Sequence, residues 1–302
     1  MKAAGVTTGC KVNQAESAEL TAKLIELGYA VGEPRGCDVV VLNACAVTAR
    51  AESEAYRLLR RLRRDNPFAL LAIAGCLAQL SPASLTAPGL ADLALAAGPR
   101  DEALSFLTPV KGCPVPPPPK ARTRALLKVQ DGCSGGCAYC VVPLARGPSR
   151  SVPPQAALAA FKALLAQGVK EAVLTGVHLG HYGLDLGTDL RQFLALIHRE
   201  APKGLAFRLR LSSLEPMELP LAREAFGYGW LAPHAHAPLQ SGSDAVLKRM
   251  GRPYGRDDYQ RVVGQFVESL GPMALGTDVL VGFPGESEAD FKKTYDLLEK
   301  LP

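Results

Sequence analysis

The sequence of 302 residues is long enough for two domains, each with its own hydrophobic core. Hydrophobic residues make up 48% and charged residues 21%, and the absence of an uncharged apolar run of about 18 residues argues against a membrane span. The net charge of +5 permits a nucleic-acid partner without requiring one. Eight cysteines without a signal-peptide pattern favour reduced thiols over a disulfide scaffold and predict a cytoplasmic protein.

Residues 1–108 alternate between predicted strands and helices. The strands are predicted from β-branched or apolar runs of the kind that is buried in parallel sheets. The helices are predicted from leucines at helical spacing, and they end at Gly28 and at Asn66-Pro67. This alternation predicts an α/β domain with a doubly wound parallel sheet. The predicted strands are 2–8, 38–43 and 69–74, the predicted helices are 13–27 and 48–64, and weaker units are 91–96 and 100–107.

Three cysteines of this first domain, Cys10, Cys45 and Cys76, each come just after a predicted strand. The carboxyl ends of parallel strands line the ligand crevice of such a sheet, so we expect the three thiols to converge at one edge. Buried structural cysteines are the alternative, because free cysteine is common in cores. Three cysteines at the same point of three βα units favour a metal site, whereas Cys37 and Cys113 occupy no such position and are predicted to have no role.

A proline-rich stretch at 109–122 predicts a semi-rigid linker between the two domains. From residue 123 to 302 a second alternation gives five strand–helix units, which predict an incomplete (β/α) barrel with its site at the carboxyl ends of the strands. The predicted strands are 124–130, 171–175, 206–211, 230–239 and 273–281, and the predicted helices are 154–167, 189–200, 218–226, 257–270 and 287–300.

The loop after the first of these strands holds Cys133, Cys137 and Cys140 in a C-x3-C-x2-C spacing. Three thiolates in a glycine-rich loop can hold three irons of a cubane cluster and leave the fourth iron open. Structural zinc needs a fourth nearby ligand, which the loop does not offer, and the odd number of cysteines argues against disulfides. The loop therefore predicts an open iron–sulfur cluster.

Polar or glycine-rich stretches at the other strand ends predict a pocket for a nucleoside-like cofactor, although ordinary turn chemistry is the alternative for each stretch alone. Glycines let a ligand approach the backbone, and carboxylate, amide and hydroxyl groups can bind its ribose, amino and carboxylate groups. The candidate residues are Gly176, Ser212, Glu215, Gln240, Ser241 and Gly282.

Charged side chains offer further candidates. Arg146 and Arg150, close to the cysteine loop, are predicted to contact substrate RNA or the cofactor. One face of the predicted helix 48–64 carries Arg57, Arg60, Arg61 and Arg64. This face could hold RNA phosphates, or it could simply be solvated. The histidines, scattered over different loops, are predicted to be hydrogen-bonding or core residues rather than metal ligands, and they are His178, His181, His234 and His236.

Taken together, these motifs resemble the radical S-adenosylmethionine (SAM) methylthiotransferases. The resemblance rests on the cysteine loop with Tyr139 before its third cysteine and on the later stretches 174–180 (LTGVHLG), 238–244 (PLQSGSD) and 277–286 (TDVLVGFPGE). Residues 8–17 (TGCKVNQAES) and 175–180 look most like the branch that acts on threonylcarbamoyladenosine beside the tRNA anticodon. The branches acting on isopentenyladenosine and on a ribosomal-protein aspartate differ around these motifs.

The resemblance implies two [4Fe-4S] clusters, SAM, a tRNA substrate and an electron donor such as a flavodoxin or ferredoxin. Cys133, Cys137 and Cys140 would hold the cluster that splits SAM, with Tyr139 and the candidate pocket residues around the cofactor. Cys10, Cys45 and Cys76 would hold an auxiliary cluster that carries the sulfur. One SAM would methylate this sulfur and a second would supply the radical that removes hydrogen from adenine C2, where the methylthio group is then attached.

Two further expectations concern the length of the sequence and its functional class. The resembled family continues through a sixth strand and a small β-rich TRAM domain that grips tRNA, so we expect the 302-residue sequence to be a shortened form or to hold tRNA in another way. A non-catalytic iron–sulfur protein that binds RNA is the alternative from a different functional class.

Overall fold

The computed structural model describes residues 1–95, 104, 107, 124–202, 204 and 206–301. The chain forms two compact units: residues 1–121 with 141–147, and residues 122–140 with 148–302. The predicted linker at 109–122 lies outside the described residues, as does the predicted unit at 100–107 apart from residues 104 and 107. No helix in the described ranges is both long and apolar enough to cross a membrane.

Five parallel strands form the sheet of the first unit, in the order β2-β1-β3-β4-β5. The central strand is β3, and all five of its residues are buried, as its run of valines and leucine predicts. The carboxyl ends of β1, β3 and β4 meet at one edge because β3 pairs in parallel with the other two. The strands are β1 (Lys2–Thr7), β2 (Ala30–Val31), β3 (Val39–Asn43), β4 (Leu70–Ala74) and β5 (Leu93–Ala94).

Both faces of this sheet are covered, which confirms the doubly wound prediction. On one face Leu42 belongs to an apolar cluster with Leu59, and on the other face Val41 belongs to a cluster with Leu24. Leu24 lies on α1 and Leu59 on α2, and successive residues of a strand point to opposite faces. The helices of this unit are α1 (Lys11–Glu26), α2 (Ala49–Asp65), α3 (Cys76–Leu80), α4 (Pro82–Leu85) and α5 (Val142–Arg146).

The second unit contains five parallel strands that follow one another as β6, β9, β10, β11 and β12. A three-stranded sheet has the order β10-β9-β6, and β11 pairs with β12. A bridge between Leu209 and Leu231 connects the two groups, and the backbone N–H of Leu214 donates to the carbonyl of His236 at 3.0 Å. This is the predicted incomplete barrel. Its strands are β6 (Arg124–Lys128), β9 (Glu171–Thr175), β10 (Arg208–Leu211), β11 (His234–His236) and β12 (Ala274–Gly276), with a small antiparallel pair β7 (Gln130–Asp131) and β8 (Arg150–Ser151).

Helices cover the outside of this barrel and bury large side chains such as Phe161, Phe193 and Tyr259. One of them begins at a polar cap, where the side chain of Asp189 accepts a hydrogen bond from the N–H of Gln192 at 2.8 Å. The helices are α6 (Pro154–Ala166), α7 (Leu190–Glu200), α8 (Arg223–Phe226), α9 (Asp244–Arg249), α10 (Arg256–Leu270) and α11 (Glu288–Leu298), with 3-10 segments at Leu179–His181, Leu184–Leu186 and Pro216–Ala222.

Prolines account for two differences from the predicted elements. The predicted helix at 218–226 is a 3-10 segment that contains Pro220, followed by the short α8, because proline lacks the N–H that an α-helix needs. The predicted strand at 230–239 is reduced to the three residues of β11, which lie between Pro233 and Pro238. The short helices α5 and α9 were not predicted.

Candidate functional site

Three cysteines lie at the carboxyl ends of adjacent strands in the first unit. Cys10 follows β1, Cys45 follows β3 and Cys76 follows β4. Burial raises the pKa of the Cys76 thiol, and the Arg146 guanidinium opposes this shift. Arg146 donates to the Sγ of Cys76 and also to the Oδ1 of Asn13, which lies 3.7 Å from the Sγ of Cys10. A Cβ on Gly9, the residue before Cys10, would lie 3.4 Å from the Sγ of Cys45, so the three thiols lie at one edge of the sheet. This is the placement that the strand pattern predicted, while the role of the thiols as ligands stays a prediction.

Glycines allow the backbone to bring two of these cysteines close to the strand ends. Gly9 has φ +115°, and a Cβ there would lie 2.5 Å from the Cβ of Cys45. Gly75 has φ +90° and ψ −166°, and a Cβ there would lie 2.5 Å from the backbone oxygen of Ala44. Any side chain at either position would collide with its neighbours and adopt a backbone conformation that only glycine adopts readily.

A buried arginine contacts the same three-cysteine site. Arg146, on α5, donates from Nε to the Sγ of Cys76 at 3.1 Å, from Nη1 to Oε1 of Glu16 at 2.8 Å and from Nη2 to Oδ1 of Asn13 at 2.8 Å. Arg146 is 6% exposed and Glu16 is 1% exposed. This burial and the pairing with a carboxylate argue against the predicted contact of Arg146 with RNA. The alternative, a contact with the cofactor, stays a prediction and is compatible with the hydrogen bond to Cys76.

Two buried polar atoms next to these cysteines have no hydrogen-bond partner among the described residues: Thr8 Oγ1 and Asn43 Oδ1. The other end of the Asn43 amide donates to the backbone oxygen of Asn13 at 3.0 Å. A buried polar atom without a partner is costly, so it favours a group that is bound in the functional protein. These atoms and the three thiols fit a thiolate-held cluster at this edge of the sheet.

The second set of cysteines lies in the loop that follows β7. The Sγ of Cys133 accepts a hydrogen bond from the backbone N–H of Gly135 at 3.2 Å, and the N–H of Cys140 donates to the carbonyl of Cys137 at 3.1 Å. The N–H of Ala138 donates to the carbonyl of Met250 at 2.9 Å, which ties the loop to the end of α9. The three side chains are partly exposed, so a cluster held by them could contact a further ligand.

A histidine pair with a shared carboxylate lies against this loop. The Nδ1 of His178 lies 3.4 Å from the Sγ of Cys133, and its Nε2 lies 2.8 Å from Oε1 of Glu218. The ring of His181 stacks on that of His178 at 3.5 Å, and its Nε2 lies 3.8 Å from the same carboxylate oxygen. His178 therefore forms hydrogen bonds, as predicted, and the two histidines lie together rather than scattered.

These contacts shift the pKa values of the groups involved. The hydrogen bond from His178 lowers the pKa of the Cys133 thiol. Burial alone would lower the pKa of His178, but the contacts with Cys133 and Glu218 outweigh it and raise the pKa to about 9. Burial and the charge of His178 lower the pKa of His181. A protonated His178 thus favours the thiolate form of Cys133, which is the form that binds metal.

Arg252 was missed by the sequence analysis and lies at the centre of this second site. Its Nη1 donates to the Sγ of Cys137 at 3.1 Å and lies 3.5 Å from the hydroxyl of Tyr139, and its Nη2 pairs with Oε2 of Glu215. The side chain of Arg252 is 3% exposed. It stands in the stretch 247–254 (LKRMGRPY), and no local pattern there indicates that one arginine is buried against a cysteine.

The predicted pocket residues differ in their burial and in their hydrogen-bond partners. Ser212 Oγ is buried without a partner among the described residues, which favours a bound ligand. Ser241 is fully buried and its hydroxyl lies 3.3 Å from that of Thr294, so it has a structural role that argues against the predicted contact with the cofactor. Gly176 is required by packing, because a Cβ there would lie 2.9 Å from Oε1 of Gln130.

The remaining predicted residues stay candidates. Gln240 has φ +66°, a conformation rare for a residue with a side chain, and strain of this kind often marks functional sites. Gly282 is exposed with φ +78°. The ring of Tyr139 packs edge-on against Phe283 with centroids 6.3 Å apart. Arg150 is exposed on β8, as a contact with RNA would require.

The arginine face predicted on α2 is also exposed. Arg57 pairs with Glu54 at 3.6 Å, and Arg61 pairs with Asp65 at 3.6 Å. Ion pairs of this kind within one helix are typical of a solvated face, and they contribute little to stability.

Comparison with known proteins identifies both units. The model of Uncharacterized protein family UPF0004 matches residues 2–95, and that of the Radical SAM superfamily matches residues 127–298. The radical SAM methyltransferase TsrM from Kitasatospora setae, solved with cobalamin and a [4Fe-4S] cluster, has a similar fold with a TM-score of 0.66 and 16% identity. The alignment covers 99% of this chain and 73% of that one.

Similarity to curated proteins extends along almost the whole chain. The threonylcarbamoyladenosine tRNA methylthiotransferase MtaB of Thermotoga maritima is 37% identical, over 98% of this chain and 71% of the relative. The protein of the same name from Aquifex aeolicus is 36% identical, over 100% of this chain and 78% of the relative. The tRNA-2-methylthio-N(6)-dimethylallyladenosine synthase of Deinococcus radiodurans is 33% identical, over 100% of this chain and 63% of the relative. The chain therefore belongs to the radical SAM superfamily and, within it, to the family of tRNA methylthiotransferases.

Proposed function

We propose that this protein transfers a methylthio group to C2 of N6-threonylcarbamoyladenosine in tRNA, with SAM as the methyl donor and radical source. The observation that carries the proposal is the presence of two separate three-cysteine sites, one at the edge of the first sheet and one in the loop after β7. Relatives named for this reaction are 33–37% identical over nearly the full chain, which supports the choice of substrate.

Cys133, Cys137 and Cys140 would hold the cluster that binds SAM, and Cys10, Cys45 and Cys76 would hold the auxiliary cluster. When bound, the clusters and SAM supply the sulfur, the methyl group and a radical able to attack an unreactive C–H bond. The protein's own groups prepare these sites: His178 favours the thiolate of Cys133, and Arg252 donates to the Sγ of Cys137. The pair of Arg252 with Glu215 and the orphaned hydroxyl of Ser212 would contact the polar groups of SAM.

The chemistry also requires electrons one at a time, so a flavodoxin or ferredoxin is the proposed electron donor. A tRNA substrate and such a donor support a proposed location in the cytoplasm. Arg150, exposed on β8, is proposed to contact the RNA backbone.

Analysis of tRNA nucleosides tests the proposed substrate. We would express the protein in a bacterial strain that lacks its own tRNA methylthiotransferases and measure modified nucleosides by mass spectrometry. The methylthio form of threonylcarbamoyladenosine should appear, and it should be absent with Cys133→Ala or with Cys10→Ala. If threonylcarbamoyladenosine remains unmodified although the purified protein cleaves SAM, the proposed substrate is wrong.

A second candidate substrate is isopentenyladenosine, also called dimethylallyladenosine. Relatives named for that reaction in Deinococcus radiodurans and Dictyoglomus thermophilum are 33% and 32% identical to this chain. The same nucleoside measurement separates the candidates, because the two methylthio products differ in mass. Methylthio-isopentenyladenosine as the only new product would favour this second substrate.

A further inference from the structure

An arginine that the family motifs do not assign contacts the proposed auxiliary cluster site. Arg146 follows Cys140 by six positions in the sequence, yet the segment 141–147 belongs to the first unit, where α5 packs near α3. We propose that Arg146 is a positioning residue that raises the reduction potential of the auxiliary cluster, with Glu16 as its counter-charge. This inference rests on the proposed function, because it requires that Cys10, Cys45 and Cys76 hold a cluster.

The pairing of the guanidinium with Glu16 directs its Nε–H at the sulfur. Both terminal nitrogens of Arg146 bind Glu16, Nη1 to Oε1 at 2.8 Å and Nη2 to Oε2 at 3.1 Å. This two-point pairing fixes the plane of the guanidinium and directs Nε at the Sγ of Cys76, 3.1 Å away. Asn13 holds Nη2 from another side at 2.8 Å, and its Oδ1 lies 3.7 Å from the Sγ of Cys10. The arrangement therefore reaches two of the three thiols.

Because the Arg146–Glu16 ion pair is buried, it matters which of its two charges lies next to the Cys76 sulfur. A charge removed from water is costly unless it is paired, and electrostatic interactions are stronger in the protein interior than at the surface. The cation, rather than the carboxylate, contacts the sulfur atom. Hydrogen bonds to cluster sulfurs and nearby positive charge stabilise the reduced, more negative state of an iron–sulfur cluster and so raise its reduction potential.

Substitutions that remove the positive charge of Arg146 or the negative charge of Glu16 distinguish an effect on the reduction potential from a purely structural role. Arg146→Gln removes the cation and should lower the midpoint potential of the auxiliary cluster. Glu16→Gln removes the carboxylate, leaves the cation uncompensated and should raise the midpoint. A residue that only attaches α5 to the first unit would not give shifts of opposite sign, because both substitutions break the same ion pair.

The measurement is a redox titration followed by electron paramagnetic resonance after anaerobic reconstitution. The full chain would carry Cys133→Ala, Cys137→Ala and Cys140→Ala, so that one cluster contributes the signal. For Arg146→Gln we expect a fall of at least about 59 mV, which corresponds to a tenfold change in the equilibrium for a one-electron couple. Glu16→Gln should shift the midpoint upward, and Arg191→Gln, at an exposed position of α7, should leave it unchanged.

The outcomes separate this inference from the proposed function. Unchanged midpoints in both variants, or shifts in the same direction, would overturn the role of Arg146 while leaving the auxiliary cluster in place. If the parent chain with only Cys10, Cys45 and Cys76 bound no iron, the proposed auxiliary site itself would be wrong. Should Arg146→Gln fail to fold, Glu16→Gln decides alone, and Arg146→Lys adds a test: it retains the charge without the planar fork, so its midpoint should stay closer to the parent value.

Discussion

Gly75 provides a sharp test of how the first sheet presents its cysteines. It stands between the end of β4 and Cys76, with φ +90° and ψ −166°, a region of backbone conformation occupied almost only by glycine. A Cβ at this position would lie 2.5 Å from the backbone oxygen of Ala44 and would also collide with the side chain of Asn43. Because Ala44 precedes Cys45, Gly75→Ala should disturb two of the three thiols at once.

The expected destabilisation has two parts. Holding alanine in this backbone conformation costs about 1–3 kcal/mol of unfolding free energy. Forcing an extra carbon against a backbone oxygen in a packed region costs roughly another 1–3 kcal/mol. The total of about 2–6 kcal/mol is a large share of the roughly 5–15 kcal/mol that stabilises a typical domain. Gly75→Ala is therefore expected to weaken the fold and to displace the proposed cluster ligands.

Two glycines serve as matched controls. Gly271 has a similar backbone conformation, φ +76° and ψ −161°, and Gly89 lies in the same unit as Gly75 with φ +82°. A Cβ at either position would meet no atom within 4 Å, so alanine there introduces backbone strain without a collision. Each control is expected to lose only the strain contribution of about 1–3 kcal/mol.

Urea unfolding and iron analysis measure the two consequences. Anaerobically reconstituted parent protein and both controls should hold about eight irons per chain, whereas Gly75→Ala should hold about four. Gly75→Ala should also unfold at a lower urea concentration than either control. The reasoning would be refuted if Gly75→Ala were no less stable than the controls and kept all its iron.

Three further predictions address the core, an acidic cap and the second cysteine site. Leu59→Ala should lower the unfolding free energy by about 2–5 kcal/mol in urea titrations because Leu59 is fully buried. Leu184 is 63% exposed, so Leu184→Ala should change the unfolding free energy little, and equal effects of the two substitutions would contradict this reasoning. Hydrogen bonds from Ser243 and Ser287 hold the pKa of Asp290 well below its usual range, so its contribution to stability should be present above about pH 4 and be lost in more acidic solution. Thermal midpoints of parent and Asp290→Asn should therefore converge as the pH falls, and a gap independent of pH would contradict this origin. Arg252→Lys replaces a guanidinium that contacts both Cys137 and Glu215 by a single ammonium. The iron content should fall from about eight toward four per chain, and SAM cleavage should be lost. Full retention of iron would show that the contact with the Cys137 sulfur is dispensable.

The placement of the cysteines could be predicted because its signals are local. A run of valines and leucine makes β3, and Cys45 follows two positions after that strand. Cys10 and Cys76 are each preceded by a glycine with positive φ at the strand end. Parallel strands then bring the three positions to one edge without further information about side chains.

The arginines could not be placed in this way because their partners are distant in sequence. Arg146 and Glu16 are separated by 130 positions, and Arg252 and Cys137 by 115. Arg146 lies only six positions after Cys140, so the local sequence favours its assignment to the second domain and its substrate. Its burial in the first unit follows from the path of the segment 141–147, which no periodicity or spacing reveals.

The same chemical arrangement occurs at both cysteine sites, with one difference that bears on function. At each site an arginine nitrogen lies 3.1 Å from a cysteine sulfur, and the arginine is paired with a glutamate. The Glu16 side chain is 1% exposed, whereas that of Glu215 is 28% exposed. A buried ion pair acts on the groups around it inside the protein, whereas an accessible pair can also bind a polar ligand that enters from solvent. We therefore expect Glu215, the more exposed carboxylate, to bind a polar group of the proposed SAM, and Glu16 to act on Arg146 and the proposed auxiliary cluster from inside the protein.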